Sequence, residues 1–90
     1  MHTIEQLLGS LHVHADGTPI YVQLREQLLQ AIGQGRLRAG EQLPTMREVA
    51  VALRVDLHTV QRAYAALERD GAVVTQRGRG TLRPLEPSLT

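Results

Sequence analysis

Ninety residues with a formal net charge of +1 and no cysteine bound one small domain, with no disulfide frame and no thiolate metal site. A chain this short buries only about 60–65% of the surface its unfolded form exposes, and without Phe or Trp its core falls to Leu, Val, Ala, Ile and two Tyr. No apolar run approaches the roughly 20 residues of a membrane span, the first ten residues have neither the basic start nor the apolar stretch of a secretory signal, and a cysteine-free chain fits a reducing cytoplasm, the expected location.

Residues 1–18 read as a lead-in. Thr3 with Gln6 has capping-box spacing, and Ile4, Leu7, Leu8 and Leu11 follow at the offsets of a helical stripe. Gly9 and Ser10 weaken that helix. Alternatively, Leu11-His12-Val13-His14 alternates apolar and polar, as a short edge strand does. Either form carries apolar groups that need a partner, in the same domain or on a second copy, so the stripe is the candidate dimer contact. His12 and His14 offer two imidazoles, but two His spaced two apart read more simply as a solvated face, and no metal or cofactor is expected.

Ala15-Asp16-Gly17 is a turn signal. Thr18 then precedes Pro19, and proline suits a first helical turn because its missing N–H would be unpaired there. The spacing predicts a helix over about 20–34. Tyr21, Leu24, Leu28, Ala31 and Ile32 form its inner stripe; Gln23, Arg25, Glu26, Gln27 and Gln30 face outward; Gly33 and Gly35 end it. A loop, Arg36-Leu37-Arg38-Ala39-Gly40, leads to a short extended piece, Glu41-Gln42-Leu43. Pro44 stops it, and Thr45 with Glu48 forms a second capping box. That box opens a helix over about 46–53, with Met46, Val49, Ala50 and Leu53 inward.

Arg54-Val55 is a tight turn to a further helix. Asp56 can cap its start and Gly71 can take the left-handed conformation past its end. Val60, Ala63, Tyr64 and Leu67 make one apolar face. The other face opens with His58, Thr59, Gln61 and Arg62, polar groups in the first turn and a half. Two helices on a tight turn, the second with a polar start, match helix-turn-helix geometry, in which the second helix enters the major groove. An ordinary helical hairpin would look the same, so the pair does not decide the matter by itself.

The next residues tip the balance. Ala72-Val73-Val74-Thr75 has the β-branched character of a strand, Gln76-Arg77-Gly78-Arg79-Gly80 is a glycine turn loaded with Arg, and Thr81-Leu82-Arg83 returns before Pro84 stops it. This hairpin is a wing. Every basic residue is Arg and none is Lys. Codon bias accounts for most of that usage, but Arg77, Arg79 and Arg83 form a local excess with no acid between 71 and 84, as a phosphate-facing element would. The expected fold is mostly α with a small β-hairpin: a winged helix-turn-helix of three helices and a two- to three-stranded wing over 19–83, its third strand near Leu43. Residues 84–90 are a tail or the start of a further domain.

Taken in order, PIYVQLREQL, GRLRAGEQLPTMREVA, TVQRAYAALERDG and QRGRGT resemble the N-terminal DNA-binding domain of the GntR family of bacterial transcription regulators, over about 19–82. TVQRAY and the compact RGRGT look most like the YtrA-type branch, whose members carry only a short helical tail. The resemblance implies a dimeric regulator, usually a repressor, on an imperfect palindrome in double-stranded DNA. It also implies DNA contacts at Arg47, His58, Thr59, Gln61, Arg77 and Gly78.

Chemistry suits these positions. Arg47 can reach a phosphate or a guanine, and Thr59 a phosphate. Gln61 can pair with adenine, and His58 can approach a base edge. Arg62 shares the His58 face, Thr45 opens the helix of Arg47, and Arg79 flanks the tip, where Arg can reach phosphates or enter a narrow minor groove. Leu57 stands where many relatives carry Arg or a polar residue, and Gln61 replaces an Arg found in other branches, so no operator sequence is carried over. Relatives continue into a domain that senses a ligand, so no effector site is expected within these residues, whether the chain is a fragment or a short form.

Other function classes fit less well. No catalytic triad, paired carboxylates or phosphate-cradling Gly-Lys loop points to an enzyme. Single-strand or RNA binding wants stacking aromatics, which this chain keeps for buried stripes. A protein–protein adaptor built on the same fold is the runner-up; it would carry apolar residues where this helix start and wing tip are polar.

Overall fold

The computed structural model describes residues 4–84. The cap expected at Thr3, the Ile4 side chain and the tail over 85–90 lie outside the described residues. Helices α1 (Ile4–Ser10), α2 (Ile20–Gly33), α3 (Met46–Leu53) and α4 (Leu57–Arg69) precede strands β1 (Val74–Gln76) and β2 (Gly80–Leu82). Over 4–10 the lead-in takes the helical one of its two expected forms, ahead of the three expected helices of the domain.

The described part of the α1 stripe packs on the chain's own core. Leu7 and Leu11 are buried within it and Leu8 packs against it. Beyond α1 the chain runs extended but joins no sheet. Instead, two glutamines one turn apart on α2 take the place of a neighbouring strand. The Gln27 side chain accepts from the His12 N–H (3.0 Å) and donates to the His12 carbonyl (2.6 Å). Gln23 accepts from the His14 N–H (3.0 Å) and donates to the carbonyls of His14 (2.8 Å) and Thr18 (2.9 Å). This corrects the outward placement of both residues: Gln23 is only 6% exposed. A buried amide is tolerable here because its oxygen and nitrogen are both bonded.

α2 brings Leu24, Leu28 and Ala31 to the centre. Its end is closed by Gly35 at φ 76°, whose N–H donates to the Ile32 carbonyl (3.1 Å). α3 starts on the expected capping box. The Thr45 hydroxyl accepts from the Glu48 N–H (3.0 Å), and the Glu48 carboxylate accepts from the Thr45 N–H (2.8 Å). The turn to α4 passes through Arg54 in the left-handed region (φ 57°), and Asp56 then caps α4 by accepting from the His58 N–H (3.1 Å). Val49, Val60, Ala63 and Leu67 are fully buried where α2, α3 and α4 meet. Each such Val or Leu contributes about 1.5–3 kcal/mol relative to exposure.

β1 and β2 pair antiparallel, with Val74 opposite Leu82 and Gln76 opposite Gly80. The expected third strand is reduced to an isolated bridge of Gln42 with Leu82. Main-chain bonds still hold β2 there: the Leu43 N–H donates to the Thr81 carbonyl (2.8 Å) and the Arg83 N–H to the Glu41 carbonyl (2.9 Å). Arg83 itself is not part of an exposed cationic tip, because its guanidinium donates to the Leu37 carbonyl.

Candidate nucleic-acid interface

Three short segments carry the predicted site residues, and each is presented by its local structure. At the start of α4, Asp56 consumes a free N–H, and the buried Val60 and Ala63 fix the rotation of the helix. His58, Gln61 and Arg62 are thereby exposed, while Leu57 and Thr59 are half-buried. The guanidinium carbon of Arg62 lies 4.0 Å from the centre of the Tyr21 ring on α2. That cation–π contact holds an exposed guanidinium against α2.

At the start of α3, Thr45 and Arg47 are exposed. The Thr45 hydroxyl accepts within the capping box and keeps its hydrogen for another acceptor. Behind it, the Tyr64 hydroxyl donates to the Pro44 carbonyl (2.5 Å) from a buried position. Burial pushes the Tyr64 phenol well above its ordinary value, and the nearby Glu48 charge adds to the shift, so the hydroxyl stays a donor. This bond ties the residue ahead of the α3 cap to the buried face of α4. Sequence reading assigned Tyr64 to the core and missed this bond; a tyrosine on a buried stripe is itself the signal, since its hydroxyl needs a partner.

In the wing, Arg77, Gly78 and Arg79 are exposed. Gly78 and Gly80 sit at φ 82° and 81°, a region where side chains are strained, and the Arg79 N–H donates to the Gln76 carbonyl (3.0 Å) to close the turn. The tip stands beside the α3 start: a cavity of about 470 Å³ is lined by Thr45 and Glu48 on one side and Thr75, Arg79 and Thr81 on the other. The structure thus brings Thr45 and Arg79 to one groove and leaves Arg47, His58, Gln61, Arg62, Arg77 and Gly78 exposed.

The histidine pair lies on the arm. The His12 and His14 rings stack with centres 5.6 Å apart, and His14 Nε2 is 3.3 Å from the Asp16 carboxylate. Asp16 is held below the usual carboxylate range chiefly by the Thr18 backbone N–H. Among the described residues, no group of three or more His, Cys, Asp or Glu is placed to hold a metal ion, and no helix is long and apolar enough to cross a membrane.

The family model for bacterial regulatory proteins of the gntR family matches residues 20–82. The chain belongs to the GntR family. It is 41% identical over 63 residues to YhcF of Bacillus subtilis, named an HTH-type transcriptional regulator, covering 70% of this chain and 52% of that protein. It is 42% identical over 64 residues to the transcriptional repressor YtrA of the same organism, covering 71% and 49%. The chain spans about half the length of these curated relatives. Among solved structures it is similar to YtrA from Sulfolobus acidocaldarius, a GntR-family transcription factor, with a TM-score of 0.75, 37% identity and coverage of 81% of this chain and 77% of that one. It is also similar to the AraR DNA-binding domain in complex with operator ORX1, with a TM-score of 0.74, 25% identity and coverage of 80% and 93%. The likeness to both YtrA proteins puts the chain in the YtrA-like branch, and the four helices and hairpin are its winged helix. Family and relatives are regulators of transcription rather than enzymes.

Proposed function

We propose that this domain binds double-stranded DNA sequence-specifically, as the DNA-binding part of a repressor that acts as a dimer on a palindromic operator in the cytoplasm. The start of α4 enters the major groove, where Gln61 and His58 meet base edges and Thr59 and Arg62 meet phosphates. Thr45 and Arg47 hold the flanking backbone from α3. Arg77, Gly78 and Arg79 follow the backbone or enter the minor groove. One observation carries this reading: exposed arginines and hydrogen-bonding side chains stand at the start of α3, at the start of α4 and on the wing tip, with the wing tip and the α3 start lining one groove. The operator complex of the similar AraR domain and the repressor name of the similar YtrA support it.

Selection from random duplex oligonucleotides tests the proposal. The expected product is a pair of inverted half-sites, bound with a log affinity that falls linearly against log salt as arginines displace counterions. Absence of duplex binding at low salt, or an affinity indifferent to salt, would overturn it in favour of a protein-binding adaptor. In the same assay Gln61→Ala is expected to change base preference at one position of each half-site by about 1–3 kcal/mol. An unaltered preference profile removes Gln61 from base reading.

A further inference from the structure

We infer that Gln42, a residue outside the proposed DNA-contacting set, positions the arginine-bearing tip of the wing; the inference rests on the DNA-binding reading above. The starting point is a gap in the sheet. The Leu43 N–H donates to the Thr81 carbonyl, across the bridge between Gln42 and Leu82. An antiparallel ladder repeats every second residue on each strand, so its next rung would run from the Thr45 N–H to the Arg79 carbonyl. That rung is not made, because the Thr45 N–H donates to the Glu48 carboxylate in the α3 capping box. Cap and sheet compete for one N–H, and the cap holds it.

The Arg79 carbonyl is instead met by the side chain of Gln42, whose Nε2 donates to it. The same nitrogen lies 4.0 Å from where a side chain on Gly80 would begin. Gln42 is well anchored for this, since Glu41 and Leu43 on either side bond to Arg83 and Thr81. Its amide thereby continues the third strand beyond the point where the main chain turns away into α3. Without it, the tip at 77–79 depends on the last rungs of a three-residue hairpin and the bond from the Arg79 N–H to the Gln76 carbonyl. The direction of the Arg77 and Arg79 side chains relative to Thr45 and Arg47 follows from where this amide holds the carbonyl between them and the sheet.

The test compares Gln42→Met, which keeps the length and loses the donor, with Gln42→Asn, which keeps the donor and loses the reach. Both are measured in wild-type and R77A/R79A backgrounds, on a duplex selected by the wild-type domain. Either substitution is expected to weaken binding about three- to tenfold in the wild-type background, the scale of one net hydrogen bond. The melting temperature should fall by the few degrees that loss of one hydrogen bond costs a domain of this size, and neither should weaken binding further once the two arginines are gone. In the free protein, ¹⁵N relaxation should show larger-amplitude motion at Gly78, Arg79 and Gly80 and little change on α4. Equal losses in both backgrounds, unaltered binding, or unaltered tip motion would overturn the assignment. If wild-type protein binds no duplex, the DNA-binding reading fails on its own, and the relaxation measurement still decides whether Gln42 holds the tip.

Discussion

The start of α4 and the tip of the wing present similar exposed polar groups but are held by different forces. α4 rests on Val60, Ala63, Tyr64 and Leu67, all buried, so its position is set by close packing. The wing buries Val73, Thr81 and Leu82 at its base, and beyond them the tip is kept by hydrogen bonds alone. Such bonds contribute only about 0.5–1.5 kcal/mol net apiece. The helix start proposed to read base edges is thus set by packing, and the tip proposed to meet the sugar–phosphate chain by weaker bonds. Damage to the first should register as lost stability, and damage to the second as lost affinity.

Four variants probe that division, in descending order of their effect on folding. Leu67→Ala empties a fully buried site and is expected to cost about 2–5 kcal/mol by chemical denaturation. A loss under about 1 kcal/mol would mean that packing does not hold α4. Tyr64→Phe leaves the Pro44 carbonyl without its buried donor and should cost about 1–3 kcal/mol. It should also change the alkaline limb of stability. The folded state holds the phenolic proton more tightly than the unfolded chain, whose value is 10.0, so wild-type stability falls as pH rises above 10.0. The phenylalanine variant should lose that component; identical alkaline limbs would deny Tyr64 this role. Thr45→Ala removes the capping box and should cost about 0.5–2 kcal/mol, read from the shift in urea midpoint. Arg77→Ala with Arg79→Ala should move stability by less than about 0.5 kcal/mol. The same pair should weaken binding to every duplex and lower the salt slope by about one for each phosphate no longer neutralised. A wing variant that unfolds the domain would erase the contrast with α4.

Much of this architecture is legible in the residues because several elements carry a signal at both ends. α3 opens on the Thr45–Glu48 box, and its end leads straight to the Asp56 cap of α4, so its bounds of 46–53 agree with expectation. Segments whose partners are distant are harder to read. Gln23 and Gln27 look like outward polar positions because helical periodicity carries no information about an extended arm lying across them. Leu37 and Leu43 are buried from irregular chain, where no period exists to mark them. The third strand shrinks because a local cap outcompetes a long-range rung for the Thr45 N–H. Arg83 looks like wing charge but satisfies the carbonyl of Leu37, and Arg62 lies over Tyr21. The exposure of most candidate contact residues is legible from the helical pattern, whereas the bonds of Gln42 and Tyr64 behind them emerge only when hydrogen bonds are followed atom by atom.

The two glutamine amides that strap the arm to α2 carry no net charge, so the attachment involves neither ion screening nor a proton. The cationic part of the face proposed for DNA is entirely guanidinium and answers directly to ionic strength. Osmotic stress that concentrates the salt around the protein would therefore weaken the proposed DNA contacts while the strap stays fastened, which allows release without unfolding.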